Sequence, residues 1–179
     1  MGASRTRVVS DSRVSALAGP PGAQGLTLVP YLDGERTPNL PTATGSLHGL
    51  TRSNATPENL ARAVVEGMLL NLAAAVDAVR AVGCLVERVL LIGGAAASAA
   101  VQDIAPDLFG VSVAVPSPGE YVAVGAARQA AWALAGGPRP PDWAVDVDVT
   151  VDPADPARGS EIRARYAATT TAAYPLPAG

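Results

Sequence analysis

The sequence predicts a layered α/β domain, because helices and strands alternate along its middle part. A long amphipathic helix over residues 57–82 is followed by an apolar strand over 88–92 and then by a second helix. A strand over 111–115 and a third helix over 119–135 complete the pattern. The order helix–strand–helix–strand–helix favours a sheet covered by helices on both faces. The chain of 179 residues is long enough for one domain with a substantial core.

Composition divides the chain into three parts. Residues 1–24 are rich in Ser, Arg, Gly and Pro and predict a disordered or non-homologous lead. Residues 25–137 carry the alternating elements. Residues 138–179 predict a Pro-rich tail with acidic residues in alternation and a short C-terminal helix.

The long helix is the best-defined element of the sequence. Before it, strands are expected over 26–31 and 46–50. Thr56 is a plausible N-cap, Pro57 suits the first helical position, and Gly83 is a natural stop. Apolar residues recur at three- and four-residue spacing and predict one buried face, made of Leu60, Val64, Met68, Leu72, Val76 and Val79.

The junction after the strand over 88–92 carries the first functional signal. Gly93 and Gly94 follow the strand and precede an alanine-rich helix. Glycines at such a junction let backbone amides approach a ligand, and a helix start favours an anion or a polar group. Taken alone, the turn could simply reverse the chain. Within the helix that follows, Pro106 predicts a kink or an early end near residue 105.

Composition also excludes several classes of function. Apolar residues make up 49% and charged residues 16%, which is typical of a globular protein. All 13 basic residues are arginine, so no lysine of this chain can hold a phosphate. A net charge of −3 without a basic cluster makes nucleic acid an unfavoured partner. The single Cys84 cannot form an internal disulfide, and neither a secretory signal nor a membrane span is expected, which together favour a cytoplasmic protein.

Five short segments narrow the function further. They are Pro30–Pro38 (PYLDGERTP), Arg62–Gly67 (RAVVEG), Ile92–Ser98 (IGGAAAS), Glu120–Ala127 (EYVAVGAA) and Pro141–Trp143 (PDW). In this order they resemble the motifs PYL-x-GERTP, RA-x-x-EG, GGGA-x-S and E-x-x-A-x-GAA and a common tail element of the FGGY carbohydrate kinases. The resemblance covers residues 25–143 and is strongest to the xylulokinase type.

The resemblance implies both fold and chemistry. The expected fold is part of a C-terminal actin-like ATPase domain of the ribonuclease H-like class, with a mixed sheet flanked by helices. The implied reaction transfers the γ-phosphate of ATP, with Mg²⁺, to a sugar hydroxyl; in xylulokinases D-xylulose becomes D-xylulose 5-phosphate. Nucleotide contacts are then expected from Gly93, Gly94, Ala95, Ser98 and Gln102.

Several of these positions have structural alternatives. Ser98 could cap its helix, Gln102 could be solvated surface, and Glu120 could open the third helix. Ala95 stands where the family motif has its third glycine. Its methyl group is harmless if the backbone there has a negative φ, and it weakens binding if φ is positive or if the position touches the ligand. Ala97 supplies no charge for a phosphate.

Other polar residues are expected to be structural rather than catalytic. Asp33 and Glu35 belong to a loop segment of the family, Arg36 is expected to pair with that loop's carboxylates, and His48 is expected to be a surface or packing residue.

The resemblance also implies parts that the sequence does not contain. No Asp-x-Gly phosphate loop, sugar pocket or general base is recognisable, so no catalytic or metal-binding residue is predicted. Mg²⁺ and the sugar are expected to bind with an N-terminal domain, and the chain is expected to be inactive alone.

The chain therefore looks like the product of a truncated gene or a shifted start. Two alternatives remain open: a subunit of a split kinase, or a non-catalytic actin-like binding module. Ribulose, gluconate and glycerol kinases also remain open, as does association with a complementing chain or with a second copy.

Overall fold

Two sheets and four helices of three turns or more make up the part of the chain that the computed structural model describes, residues 16–175. In chain order the elements are β1 (Thr27–Val29), β2 (Ser46–His48), α1 (Pro57–Ala81), β3 (Arg88–Leu90), α2 (Ala99–Phe109), β4 (Ser112–Pro116), α3 (Tyr121–Ala135), β5 (Val147–Val151) and α4 (Pro156–Ala173). Single 3₁₀ turns occur at Ala23–Gly25 and Gly94–Ala97.

The larger sheet is mixed and has β4 at its centre. β3 pairs with β4 in parallel, with Val89 opposite Val113, and β5 pairs with β4 in antiparallel orientation, with Thr150 opposite Ala114. β1 and β2 form a separate antiparallel pair. The parallel pair requires a crossover, which α2 provides.

The main core lies between the helices and these sheets. Its fully buried side chains include Leu69 of α1, Leu108 and Phe109 of α2, and Val113 of β4. Tyr31 and Tyr166 are also buried within it.

Helix α1 begins and ends as the sequence predicts, but it buries a different face. Thr56 accepts a hydrogen bond from the Asn59 amide at 3.2 Å, which confirms the N-cap. Of the predicted face, Leu60, Val64, Leu72 and Val79 are exposed, and Met68 and Val76 are only partly buried. The buried residues are Asn59, Ala63, Glu66, Gly67, Leu69, Leu70 and Ala73.

Small residues and paired polar groups explain this choice of face. A Cβ at Gly67 would collide with the backbone oxygen of Leu28, so glycine lets α1 lie directly against β1. Glu66 accepts hydrogen bonds from Arg62 Nε at 2.6 Å and from the Gly22 amide at 2.8 Å, which offsets the cost of its burial. The predicted apolar face is offset by one residue from the face that is actually buried, which corresponds to a rotation of about 100° around the helix axis.

Helix α2 does not end near residue 105 as predicted. It continues to Phe109, with Pro106 inside it and buried. The missing amide of Pro106 removes a bond to the carbonyl of Gln102, but the residue is fully buried, and Ile104, Ala105 and Leu108 of the same helix are buried too. Gly110, at φ 65°, ends the helix.

Residues 138–175 are part of the fold rather than the predicted tail with a short helix. β5 joins the sheet, and α4 is 18 residues long and buries Ile162 and Tyr166. Gly159 lets α4 lie against the backbone of Asp107, whose Oδ1 accepts the Ala154 amide at 2.7 Å. In β5 a valine stands at every second position, a period-two pattern that is typical of a strand. The Pro and Asp content of the segment favours a tail instead, so the strand was not predicted.

Residues 16–24 are also ordered, so the expected disorder does not hold for them; residues 1–15 lie outside the described part. Ala16 and Ala23 are buried. The Gly22 carbonyl accepts a hydrogen bond from Arg165 Nη2 of α4 at 2.8 Å, in addition to the bond from its amide to α1. These contacts are made by the backbone of Gly22 rather than by apolar side chains. Hydrophobic periodicity in the sequence therefore does not reveal them.

Helix α3 stands apart from the core. None of its 15 residues is buried, although it is apolar almost all round. Val122 is 84% exposed and Leu134 is 92% exposed. Its last turn is fixed locally, since Trp132 Nε1 donates to the carbonyl of Gly137 at 2.6 Å. No helix among residues 16–175 has the length and apolar character needed to cross a membrane.

Candidate nucleotide site

A cavity of about 540 Å³ lies at the carboxyl ends of β3 and β4. One wall is the chain that leaves β3, from Leu91 to Gly94, and the opposite wall is the loop that leaves β4, from Ser117 to Tyr121. Asp148 and Val149 of β5 also line the cavity. Ligands of open α/β sheets characteristically bind outside the carboxyl ends of the strands, so the cavity occupies the expected place.

The Gly93–Gly94 turn forms the lip of this cavity. Gly93 has φ 97° and ψ 175°, a conformation essentially restricted to glycine. The following 3₁₀ turn is closed by hydrogen bonds of 3.0 Å from the Ala96 amide to the Gly93 carbonyl and from the Ser98 amide to the Ala95 carbonyl. The turn therefore has a defined shape with no side chain at its glycine positions.

Gln102 is half-buried and lines the cavity rather than lying in solvent. Its Nε2 donates to the carbonyl of Ala96 at 2.7 Å. The side chain thus ties the first turn of α2 to the glycine turn, which makes Gln102 a positioning residue for the lip.

Two other candidate residues lie beside the cavity and do not line it. Ala95 does not have a positive φ, which among the described non-glycine residues occurs only at Ala23 and Gln24. Its methyl group is therefore accommodated without backbone strain. Ser98 occupies the N-cap position of α2, but its side chain makes no capping hydrogen bond.

Sequence reasoning missed most of the opposite wall. The Ser117 hydroxyl donates to Asp148 Oδ1 at 2.6 Å, and the Tyr121 hydroxyl donates to the Ser117 carbonyl. Glu120 is at the N-cap of α3, as the structural alternative for it expected, but it makes no capping hydrogen bond and also lines the cavity. The available signals were the Pro-Ser-Pro-Gly loop after β4 and the alternation of Asp and Val in β5.

The charges of the lining are all negative. Glu120 and Asp148 are acidic, and no lining residue is basic. Within residues 16–175, no group of three or more His, Cys, Asp or Glu side chains could hold a metal ion.

The loop over 33–38 lies away from this cavity and has a structural role. Glu35 Oε2 accepts a hydrogen bond from Asn71 of α1 at 2.9 Å, and its Oε1 accepts the amides of Arg36 and Thr37. The bond from Asn71, with the Thr37 and Arg36 amides, lowers the pKa of Glu35. Arg36 thus meets the carboxylate through its backbone and forms no ion pair among the described residues.

His48 also has a packing role rather than a place at the cavity. Its Nε2 lies 2.7 Å from the Ser46 hydroxyl, within β2.

Comparison with known proteins identifies the family. Residues 6–134 match the model of the C-terminal domain of the FGGY family of carbohydrate kinases. The chain belongs to this family. The match begins inside the lead that composition set apart, so the FGGY domain extends towards the N-terminus beyond the predicted boundary.

Curated relatives of this FGGY chain include several xylulose kinases. It is 46% identical over 131 residues to the xylulose kinase of Streptomyces rubiginosus, an alignment that covers 69% of this chain and 27% of that protein. It is 39% identical over 114 residues to the xylulose kinase of Haemophilus influenzae, covering 64% of this chain and 23% of that protein. The chain thus spans about a quarter of these relatives.

Solved structures confirm the predicted actin-like FGGY fold. The xylulose kinase from Bifidobacterium adolescentis matches with a TM-score of 0.76 and 44% identity, covering 90% of this chain and 31% of that one. The gluconate kinase from Lactobacillus acidophilus matches with a TM-score of 0.78 and 26% identity, covering 91% and 34%.

Proposed function

We propose that this chain is the C-terminal, nucleotide-binding part of an ATP-dependent sugar kinase of the xylulokinase type. The whole kinase would transfer the γ-phosphate of ATP to a pentulose, converting D-xylulose to D-xylulose 5-phosphate, in the cytoplasm. The names of the relatives at 39–46% identity support the xylulose substrate. The sugar and Mg²⁺ would bind with an N-terminal kinase domain, as the resemblance to the family implies.

The observation that carries this proposal is the cavity behind the Gly93–Gly94 turn. It combines a glycine lip, the start of α2 and apolar walls at the carboxyl ends of β3 and β4. A volume of about 540 Å³ is within the range of small-molecule sites, roughly 300–1,000 Å³. Gly93, Gly94 and Gln102 line the cavity and would contact the nucleotide directly. Ala95 and Ser98 do not line it and would contribute only by shaping the turn between them.

ATP titration of the isolated chain by calorimetry tests nucleotide binding. We expect saturable heat that is lost in Gln102→Leu, because the lip loses its bond to the Ala96 carbonyl. Asp103→Leu, at the exposed next position of α2, is the matched control. If the folded wild-type chain, checked by circular dichroism, gives no heat with ATP, the proposal fails.

We also propose that the chain alone does not phosphorylate D-xylulose. Deprotonation of the attacking hydroxyl and in-line transfer require a base and a sugar pocket, which we assign to the N-terminal domain of the kinase. A coupled assay for ADP release should show no turnover with ATP and D-xylulose. Turnover above the no-enzyme rate would contradict this assignment.

A second candidate role is that of a subunit in a split kinase. The observation that favours it is α3, which is apolar and buries no residue within residues 16–175. A separate chain that supplies the N-terminal domain could cover this helix. Co-purification of the two chains, with xylulose phosphorylation restored, would support the split kinase; binding without phosphorylation would instead favour a non-catalytic actin-like module.

A further inference from the structure

We propose that the exposed apolar face of α1 pairs two copies of this chain, with the two helices antiparallel and related by a two-fold axis near Met68. This face, the outer stripe, consists of Leu60, Val64, Met68, Leu72, Val76 and Val79. Its apolar spacing predicts burial, yet a single chain leaves it exposed or only partly buried. The inference goes beyond nucleotide binding and concerns a different surface of the chain.

The outer stripe is a long apolar surface. Leu60, Val64, Leu72 and Val79 are between 40% and 52% exposed. From Leu60 to Val79 the stripe runs for about 28 Å, and with a helix diameter of about 10 Å it covers roughly 300 Å². Apolar patches of this size are often functional. The charged residues of α1 lie beside the stripe or on the buried face, and they are Glu58, Arg62, Glu66, Asp77 and Arg80.

Antiparallel pairing about Met68 makes the stripe complementary to itself. Positions equally far from Met68 on either side then face each other across the two copies. Val64 of one copy meets Leu72 of the other, Leu60 meets Val76, and Met68 meets its own counterpart at the axis. Each apolar side chain of the stripe is thus covered by another, and each helix keeps the contacts of its buried face with its own core.

The charges near the two ends of α1 favour the antiparallel direction. Glu58 lies in the first turn and Arg80 in the last. At 100° per residue the two positions are only about 40° apart around the helix, so they lie on the same edge of the stripe. Antiparallel pairing brings Glu58 of each copy to Arg80 of the other. Parallel pairing would instead set like charges, and like ends of the two helix dipoles, side by side.

Arg80 is placed to make this contact. Its Nη1 donates to Asp77 at 2.9 Å and its Nη2 to the carbonyl of Phe109 at 3.0 Å, which holds the guanidinium at this end of the helix. A guanidinium has five N–H groups, so donors remain for the carboxylate of Glu58 from a second copy.

Sedimentation velocity over a range of concentrations tests the pairing. Every chain carries Val122→Glu and Leu134→Glu, so that the exposed helix α3 does not mediate association. We expect a monomer–dimer equilibrium with a Kd of about 1–100 µM, since the interface is small. Val64→Glu should raise this Kd at least about tenfold, because pairing would bury a carboxylate against Leu72. Since Val64 is 52% exposed, the fold should persist, which circular dichroism checks.

A second substitution should rescue the dimer. Val64→Glu combined with Leu72→Arg should bring the Kd back towards that of the parent chain, because a carboxylate of each copy then faces a guanidinium of the other. Ala74→Glu is the matched control. Ala74 is exposed on α1 but lies about 120° around the helix from Met68, outside the stripe, so its Kd should equal that of the parent chain.

Disulfide formation tests the register of the two helices. Cys84 is exposed, so each cysteine variant also carries Cys84→Ser. Met68→Cys should give a disulfide-linked dimer under mild oxidation, because the two positions meet at the axis. Leu60→Cys should not, because antiparallel pairing separates the two positions by about 24 Å along the helices.

Three results would overturn the proposal. A chain that stays monomeric up to about 200 µM, or a dimer that Val64→Glu does not weaken, would leave the stripe to another occupant, such as the rest of the kinase. Cross-linking through Leu60→Cys rather than Met68→Cys would exclude the antiparallel arrangement. None of these results bears on nucleotide binding, which the ATP titration tests separately.

Discussion

Gly93 and Gly94 are adjacent in the sequence, yet a side chain would have very different consequences at each. Gly93 has φ 97° and ψ 175°, whereas Gly94 has no positive φ. At both positions a Cβ would meet open space, with no atom within 4 Å. The difference between them is therefore one of backbone conformation alone.

This difference gives a paired prediction. Gly93→Ala should destabilise the lip by about 1–3 kcal/mol, because alanine does not tolerate that conformation, and ATP binding should weaken. Gly94→Ala should leave the fold unchanged, and any loss of ATP affinity it causes should be the smaller. Calorimetric titration of both variants measures this; equal losses of affinity would contradict the conformational explanation.

Glu35 gives a second prediction at the residue scale. Its pKa in the folded chain is lowered from 4.5 by the hydrogen bond from Asn71 and the amides of Thr37 and Arg36. A lowered folded pKa means a contribution to stability that is present above the unfolded pKa and lost as the pH falls through the folded pKa. Wild type should therefore lose stability below about pH 4.5, and Glu35→Gln should show less of this loss.

Denaturant unfolding at pH 6 and at progressively lower pH measures the effect. Asp33→Asn is the control, since its carboxylate accepts no hydrogen bond among the described residues. The explanation is wrong if Asp33→Asn and Glu35→Gln change the acid side of the stability curve equally.

At the scale of the elements, the sequence predicts where a helix begins and ends better than it predicts which face of that helix is buried. Helix α1 has a Thr-Pro start and a glycine after its end, and such local signals fix helix limits. The buried face is decided elsewhere, by which side lets the helix approach β1. Gly67 allows that approach and Glu66 is paired there, and neither signal is visible as hydrophobic periodicity.

The candidate site shows the same division. The Gly93–Gly94 lip is contiguous in sequence and was predictable from a motif. The opposite wall brings together the loop after β4 and Asp148 of β5, 31 residues beyond Ser117, through sheet pairing. Such a juxtaposition depends on the antiparallel register of β5, which a single sequence does not specify.

Helix α4 lies in the segment for which the sequence predicts a Pro-rich tail, and its contribution to stability can be tested by mutation. Ile162 is only 3% exposed and lies in the core. Ile162→Ala should therefore destabilise the chain by about 2–5 kcal/mol through lost burial and a cavity. Thr171→Ala, exposed on the same helix, is the control. Urea unfolding checks this, and equal midpoints for the two variants would mean that α4 does not support the core.

On the scale of the whole molecule, the fold separates a packed part from an uncovered one. Helices α1, α2 and α4 share a core with the sheets, while α3 buries none of its residues. An exposed apolar surface of this kind promotes association. The chain spans about a quarter of the length of its curated relatives.

This separation predicts how charges on α3 will act. Val122→Glu with Leu134→Glu should reduce self-association and raise solubility, with little change in thermal stability, because both side chains are more than four-fifths exposed. Sedimentation velocity at several concentrations measures association, and scanning calorimetry measures stability. A large drop in melting temperature would mean that α3 contributes to the core.

The placement of Trp132 in the uncovered helix α3 divides the optical signals of the protein. Both tryptophans, Trp132 and Trp143, lie in or just after that helix, whereas Tyr31 and Tyr166 are buried in the core. Emission excited at the indole absorption band therefore reports on α3 and on the segment that follows it, whereas of the four tyrosines Tyr121 lies in α3 and Tyr31 and Tyr166 lie in the packed part. A change in tryptophan emission that precedes the loss of the far-ultraviolet helix signal would thus mark loosening of α3 or of the segment after it before the core unfolds.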